Sequence, residues 1–163
     1  MRVLGIDPGS ETLGWGVVEG GGPSYSLAGF GTVKTSARSP FAERLVRLYS
    51  GLVDVVEKFE PDVMAVEEAF YAVNVKVALK LGHVRGVVLL LAAQRDIEVA
   101  EYAPRLIKQT VVGYGNAEKH QVGEMVRVLL KQKEQPSPHD AADALAVAIC
   151  HFHHLRPKAR AGR

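Results

Sequence analysis

The sequence contains a single cysteine, Cys150, among 163 residues. One thiol excludes an internal disulfide framework and any multi-cysteine metal centre. Long apolar runs are also missing. The longest, Val87–Ala93 and Ala144–Cys150, fall far short of the roughly 20 residues that a membrane-crossing helix needs. The opening Met1-Arg2-Val3-Leu4-Gly5-Ile6-Asp7 meets an acid too early for a signal-peptide core. These absences predict a soluble, cytoplasmic protein. Neither charge sign dominates. With 23% charged and 47% hydrophobic residues, the composition argues against disorder and fits one compact domain. We expect that domain over residues 1–154, with a basic, disordered tail at 155–163.

A net charge of +2 does not announce a polyanion binder, but its distribution is uneven. Residues 1–70 hold ten acids against six bases, and residues 71–133 hold ten bases against five acids. Residues 134–155 hold three acids and no base, and residues 156–163 hold four bases and no acid. A basic middle between acidic segments suits a polyanion held against a carboxylate-bound cation. The bland alternative is ordinary solvated surface, and charge alone favours it.

Hydrophobic periodicity sets the order of elements. Arg2–Asp7, Thr12–Glu19 and Ser24–Val33 read as strands separated by the turn residues Pro8-Gly9 and Gly20-Gly21-Gly22-Pro23, an antiparallel meander. The period then changes. Phe41, Leu45, Leu48, Leu52, Val56 and Phe59 follow helical spacing, which predicts a helix over Pro40–Phe59. Val63–Glu67 is a short buried strand, Asn74–Gln94 a long helix, and Ile97–Tyr102 another strand. Pro104 opens a helix to about Val112, Asn116 caps one running to about Lys131, and His139–His153 forms the last. Strands joined by helical crossovers lie parallel to their neighbours. The expected fold is α/β: a five-stranded mixed sheet, three strands antiparallel and two parallel, with helices on both faces.

Asp7 and Glu67 each close an apolar strand, and ligands collect at the carboxyl ends of parallel strands in open α/β sheets. Asp before Pro-Gly also nucleates turns, so Asp7 alone decides nothing. Asp140 and Asp143 lie three apart and project from one face of a helix otherwise built of Ala, Val, Leu and Ile. The helix dipole explains an acid in the first turn, but Asp143 among buried alanines needs a partner. No Lys or Arg falls between Lys133 and Arg156, so a metal ion is the expected partner. Four carboxylates without a thiol or paired-imidazole chelate specify a hard cation, Mg²⁺ or Mn²⁺. Two such ions about 3.5–4 Å apart serve in-line phosphodiester hydrolysis.

With these residues in view, the chain resembles the RuvC-type Holliday-junction resolvases, of the ribonuclease-H-like fold. The resemblance rests on Gly5-Ile6-Asp7-Pro8-Gly9-Ser10, Ala65-Val66-Glu67 with Phe70 after it, Ala78-Leu79-Lys80-Leu81-Gly82, Lys108-Gln109-Thr110-Val111-Val112-Gly113, Ala117-Glu118-Lys119 and Asp140-Ala141-Ala142-Asp143-Ala144-Leu145-Ala146. These occur in family order from about residue 2 to 153. The resemblance implies a catalytic, metal-binding tetrad of Asp7, Glu67, Asp140 and Asp143. Glu68 falls on the opposite side of the chain from Glu67. It further implies a homodimer that makes paired symmetric nicks in four-way DNA junctions, in recombination and repair, served by a branch-migration helicase complex.

Several further residues are candidates. Ala78, Gly82 and Gly86 form a ridge of small side chains on the long helix, suited to a dimer interface or to packing on the protein's own sheet. Lys108 and Lys119 sit inside matched motifs and are expected to hold DNA, with Arg105, Lys76 and Arg85 as weaker contacts. Phe70 and Tyr71 are either a stacking platform for unpaired bases or a hydrophobic staple before the helix; the resemblance favours stacking for Phe70. His151, His153 and His154 read as a frayed helix end. Three rivals remain open: an actin-like or sugar-kinase ATPase, which needs two lobes; a ribonuclease-H-like nuclease on another nucleic acid; and a non-catalytic junction-binding module.

Overall fold

Short turns between the first three apolar segments leave antiparallel pairing as the available arrangement. In the computed structural model, which describes residues 1–20, 24–68 and 74–155, β1 (Arg2–Asp7) pairs antiparallel with β2 (Thr12–Gly20), and β2 with β3 (Tyr25–Lys34). Helix α1 (Phe41–Phe59) leads to β4 (Val63–Glu67), which lies parallel to β1. Helix α2 (Val75–Gln94) leads to β5 (Glu98–Tyr102), parallel to β4. Helices α3 (Pro104–Val112), α4 (Lys119–Leu129) and α5 (His139–His154) complete the chain. The strand order is β3-β2-β1-β4-β5. This is the expected mixed sheet. No helix among the described residues is long and apolar enough to cross a membrane.

The two faces of the sheet follow from the two-residue period of a strand. Leu4 and Ile6 of β1, with Met64 and Val66 of β4, pack against Leu48, Leu52 and Val56 of α1 and Val84 and Val88 of α2. Val3 and Ala65 face the other way, against Ile107 of α3, Val122 and Val126 of α4, and the apolar length of α5. Continuing the alternation by one step puts Asp7 and Glu67 on the α5 face. The register pairs Gly5 with Ala65 and Ile6 with Val66, so the two acids close adjacent strands side by side.

Helix α5 lies unusually close to this face because β1 and β2 offer it bare backbone. A Cβ at Gly5 would collide with the Ala144 carbonyl, and one at Gly14 with the Asp140 carbonyl. Both glycines are therefore required by close approach rather than by a turn. Their effect is to seat the first turn of α5 beside the end of β1.

Most helix boundaries lie within a residue or two of expectation. Asn74 caps α2, its side chain accepting the Lys76 N–H at 2.9 Å. The start of α4 differs. Glu118, not Asn116, is the N-cap: its side chain accepts from the Gln121 backbone, and the Glu118 N–H donates to Gln121 Oε1 at 2.8 Å. That reciprocal capping box outcompetes the single bond Asn116 could supply. Ala117, just before the cap, is buried in the core.

Candidate active site

Asp7, Glu67 and Asp143 line one cavity of about 250 Å³ at the carboxyl ends of β1 and β4, with Lys108, Lys119, Pro104, Ile107, Val122 and Ala146 completing its wall. Asp140, half-buried in the first turn of α5, stands close enough for its charge to act on Asp7 and Lys119. The acids expected to converge from three elements thus do so. Glu68 is turned away. Its charge acts on Arg85 of α2, on the opposite face of the sheet.

The electrostatics show what this clustering costs. Burial, then the charge of Glu67, a side-chain hydrogen bond with it, and the charges of Asp143 and Asp140 push the Asp7 pKa up to about 9. Glu67 is also raised, chiefly by burial, although the hydrogen bond from Asp7 and the nearby Lys119 and Lys108 pull the other way. The Asp7–Glu67 pair therefore shares a proton, held between two carboxylates that cannot both ionise cheaply so close together. Asp143 solves the problem differently. Lys119 Nζ donates to Asp143 Oδ2 at 3.2 Å, and the Asp143 charge is the main cause of the raised Lys119 pKa.

That ion pair gives Asp143 a partner from outside its own stretch of chain, where a metal ion was the one expected. Lys119 lies 24 positions away, and the docking of α4 on α5 brings it in. Among the described residues, no three carboxylate, imidazole or thiol groups stand gathered as a ready-made ion cage. The donor set still suits a hard cation, since all the converging ligands are carboxylate oxygens. A shared proton on Asp7 and an exposed lysine on Asp143 are both exchangeable for one. Lys119 is 69% exposed at its side chain and can swing out, whereas Asp143 is 20% exposed and cannot.

The basic candidates divide. Lys108 and Lys119 stand on the cavity wall. Arg105, one turn before Lys108, lines a shallow trough with Gly115 and Asn116 that adjoins the cavity through Pro104 and Lys108. Lys76 is exposed at the start of α2, outside both. Arg85 is engaged in a bidentate pair with Glu101, one bond being 2.7 Å. Phe70 and Tyr71 lie outside the described residues. Gly82 and Gly86 are exposed, and a Cβ at either would meet nothing within 4 Å. They do not pack on the protein's own sheet.

Comparison with known proteins adds to this geometry. The family model for crossover junction endodeoxyribonuclease RuvC matches residues 3–151. The chain belongs to the RuvC family. A RuvC of Thermomicrobium roseum is 53% identical over 156 residues, covering 96% of this chain and 95% of that protein. Among solved structures, T. thermophilus RuvC in complex with a Holliday junction substrate superposes with a TM-score of 0.88 at 40% identity, covering 93% of both chains. The yeast mitochondrial Holliday junction resolvase shares the fold at a TM-score of 0.65 and 17% identity, over 91% of this chain and 76% of that one. The RuvC match spans every element from β1 to α5, so the cavity lies wholly inside it.

Sequence reasoning overlooked two parts of the site. The Lys119–Asp143 pair had no local signal. The close seat of α5 did have one, the alternating glycines Gly14 and Gly16 of β2, with Gly16 paired to Gly5 of β1, which vacate one face where a helix must approach.

Proposed function

We propose that this chain resolves four-way DNA junctions by hydrolysing phosphodiester bonds, cutting two opposed strands as a cytoplasmic homodimer. The single observation carrying the chemistry is the convergence of Asp7, Glu67 and Asp143, with Asp140 beside them, in a cavity walled by Lys108 and Lys119. A phosphate entering that cavity meets cations at the rim and carboxylates at the base. Family membership supports the substrate, since a relative of this fold and 40% identity is described in complex with a Holliday junction.

The carboxylates would hold Mg²⁺ or Mn²⁺, two ions in this reading, and such a pair supplies an activated water and charge neutralisation at the leaving oxygen. The chain's own residues do the rest. Asp7 would ionise to hold an ion, its proton passing to solvent. Lys119 leaves Asp143 and becomes available to the phosphate, and Lys108 steadies the backbone from α3. Arg105 extends the basic track, and Lys76 a second, more distant one. Phe70 and Tyr71 are proposed as the stacking platform at the junction centre. The branch-migration helicase complex belongs to this reading as the partner that delivers the junction.

The test is end-labelled junction, linear duplex and RNA–DNA hybrid, each incubated with Mg²⁺ or Mn²⁺ and mapped to the nucleotide. Paired symmetric nicks in the junction alone support the reading. Preferred cutting of the hybrid would replace it with a ribonuclease-H activity, and tight junction binding with no cutting under either ion would leave a binding module.

A further inference from the structure

Among the described residues only two polar or charged side chains are buried, Arg44 and His151. Arg44 is the harder to explain. It stands in the first turn of α1, 5% exposed, and takes part in none of the ion pairs among the described residues. A buried guanidinium without a carboxylate is expensive, and an apolar side chain would fill the same joint more cheaply.

Its hydrogen bonds say what it holds. Nη2 donates to the Ser10 carbonyl at 2.6 Å, and Nε donates to Thr35 Oγ1 at 3.2 Å. Thr35 Oγ1 in turn donates to the same Ser10 carbonyl at 2.8 Å, and the Thr35 N–H donates to the Glu11 carbonyl at 2.8 Å. The Phe41 ring lies against the guanidinium, 5.5 Å from centroid to carbon. Ser10 and Glu11 belong to the turn Pro8–Glu11 that follows directly on Asp7. The turn is tight, since a Cβ at Gly9 would run into the Thr12 carbonyl. Asp7 is thus fixed from below by its pairing with Gly14, and its outgoing turn is fixed from the side by Arg44 and Thr35.

We infer that Arg44 is a positioning residue of the catalytic site: through the Ser10 carbonyl, and with Thr35, it fixes the turn that aims the Asp7 carboxylate at Glu67 and Asp143. The inference rests on the function proposed above. It explains why a desolvated cation sits here, because a charged donor with one prong on the Ser10 carbonyl and the other on the Thr35 hydroxyl ties the two together where an apolar filler would only occupy volume. It gives the end of α1 a role in a site that α1 does not line. Residues that orient a metal ligand typically change affinity or activity by about 10–100-fold when lost.

Four variants separate aiming from filling. Arg44→Met keeps volume and loses both donors, whereas Arg44→Lys keeps the charge and one donor. Thr35→Val keeps shape and loses the hydroxyl, and Thr35→Ser keeps it. Each is characterised by melting temperature, Mn²⁺ binding followed by electron paramagnetic resonance, junction affinity, and the kcat and KM of cleavage. Arg44→Met and Thr35→Val should weaken Mn²⁺ binding about ten-fold or more. Their kcat should fall at low Mn²⁺ and recover at high Mn²⁺, while KM and junction affinity stay within about two-fold. Thr35→Ser should behave as wild type and Arg44→Lys fall between. Folded Arg44→Met and Thr35→Val proteins with wild-type Mn²⁺ affinity and kcat overturn the inference, as do losses that follow melting temperature alone. Should Arg44→Met not fold, Thr35→Val against Thr35→Ser decides the matter. A wild-type protein that neither binds Mn²⁺ nor cuts junctions would instead overturn the proposed function, a result distinct from failure of the variants.

Discussion

Asp7 closes a buried strand beside another carboxylate, and its pKa rises from an ordinary 3.8 to about 9, through burial first and neighbouring charges second. The folded, metal-free protein therefore holds a proton that the unfolded chain has released. Stability from this group is fully present below about pH 3.8 and is lost as pH rises through the raised value. Asp7→Asn removes that loss. In chelator at pH 8 the variant should melt above wild type, and the gap should close toward pH 4. Mn²⁺ should raise the melting temperature of wild type and leave the variant nearly unmoved. Junction cleavage should drop by orders of magnitude while binding persists, and Glu68→Gln should change neither. Equal melting of wild type and Asp7→Asn at pH 8 would reject the shared-proton account. Much of this site was legible from single residues. Strand parity alone separates Glu67 from Glu68, and the spacing of Asp140 and Asp143 puts both on one helix face. The partner of Asp143 was not legible, because Lys119 reaches it only through the packing of α4 on α5. Arg44 was passed over for a related reason: in a helical pattern it reads as a surface charge, and only the turn docked on it makes it buried.

Helix α5 shows how an element transmits these demands. Its first turn carries Asp140 and the next Asp143, its middle is apolar, and its C-terminal turn carries His151, buried at 6% exposure. Burial lowers the His151 pKa below 6.5, His154 adds to the effect and Glu98 opposes it; Tyr102 meets Nδ1 at 2.8 Å, and Nε2 has no partner. A depressed imidazole contributes stability that is present above pH 6.5 and lost as pH falls through 6.5 toward the depressed value. His151→Gln should flatten this acid limb, so the melting temperatures of wild type and variant should diverge least near pH 5 and most near pH 7.5. Comparing the two proteins cancels the opposite trend from Asp7. A constant difference across that range would show that His151 does not titrate in the folded state. The other end of α5 depends on its seat. Gly14→Ala sets a methyl against the Asp140 carbonyl, and overpacking of this kind costs about 1–3 kcal/mol. Cleavage should suffer beyond that, since the displaced helix start carries Asp140 and, one turn on, Asp143. Retained cleavage in a destabilised Gly14→Ala protein would show that the turn tolerates the shift. The histidines at this end looked like a frayed terminus in sequence. The helix instead stays regular to His154: His153 Nε2 meets the Tyr25 hydroxyl at 3.0 Å, His154 Nδ1 lies 2.9 Å from the Cys150 carbonyl, and the docking of β5 covers His151.

At the scale of the whole molecule, α2 presents an outer face that no other described element covers. It packs inward through Val84, Val88, Leu91 and Ala92, against α1 and β5. Outward it presents Val75 at 73% exposure, Leu79 at 59% and Leu90 at 54%, with Ala78, Gly82 and Gly86 along the floor of the same groove. Helical periodicity identified the small-residue ridge but could not say which side of the helix was covered, because α2 is apolar on both. The exposed ridge supports the proposed homodimer, in which two α2 helices cross at the glycines and place two cavities in one particle. Stable interfaces bury about 800 Å² per partner, and two facing helices with their rims can supply that. The glycines provide a test that separates interface from fold. In an exposed helix interior, Gly→Ala favours folding by about 1 kcal/mol per site, and neither position has a neighbour to clash with in the monomer. The double variant Gly82→Ala, Gly86→Ala should therefore raise the stability of the isolated chain while holding two helices apart. Light scattering across a dilution series should show the dimer dissociating at concentrations ten-fold or more above wild type. Cleavage products should shift from paired cuts toward single nicks at low protein concentration. A double variant that gains stability, dimerises as tightly as wild type and still cuts in pairs would move the dimer interface off this face of α2.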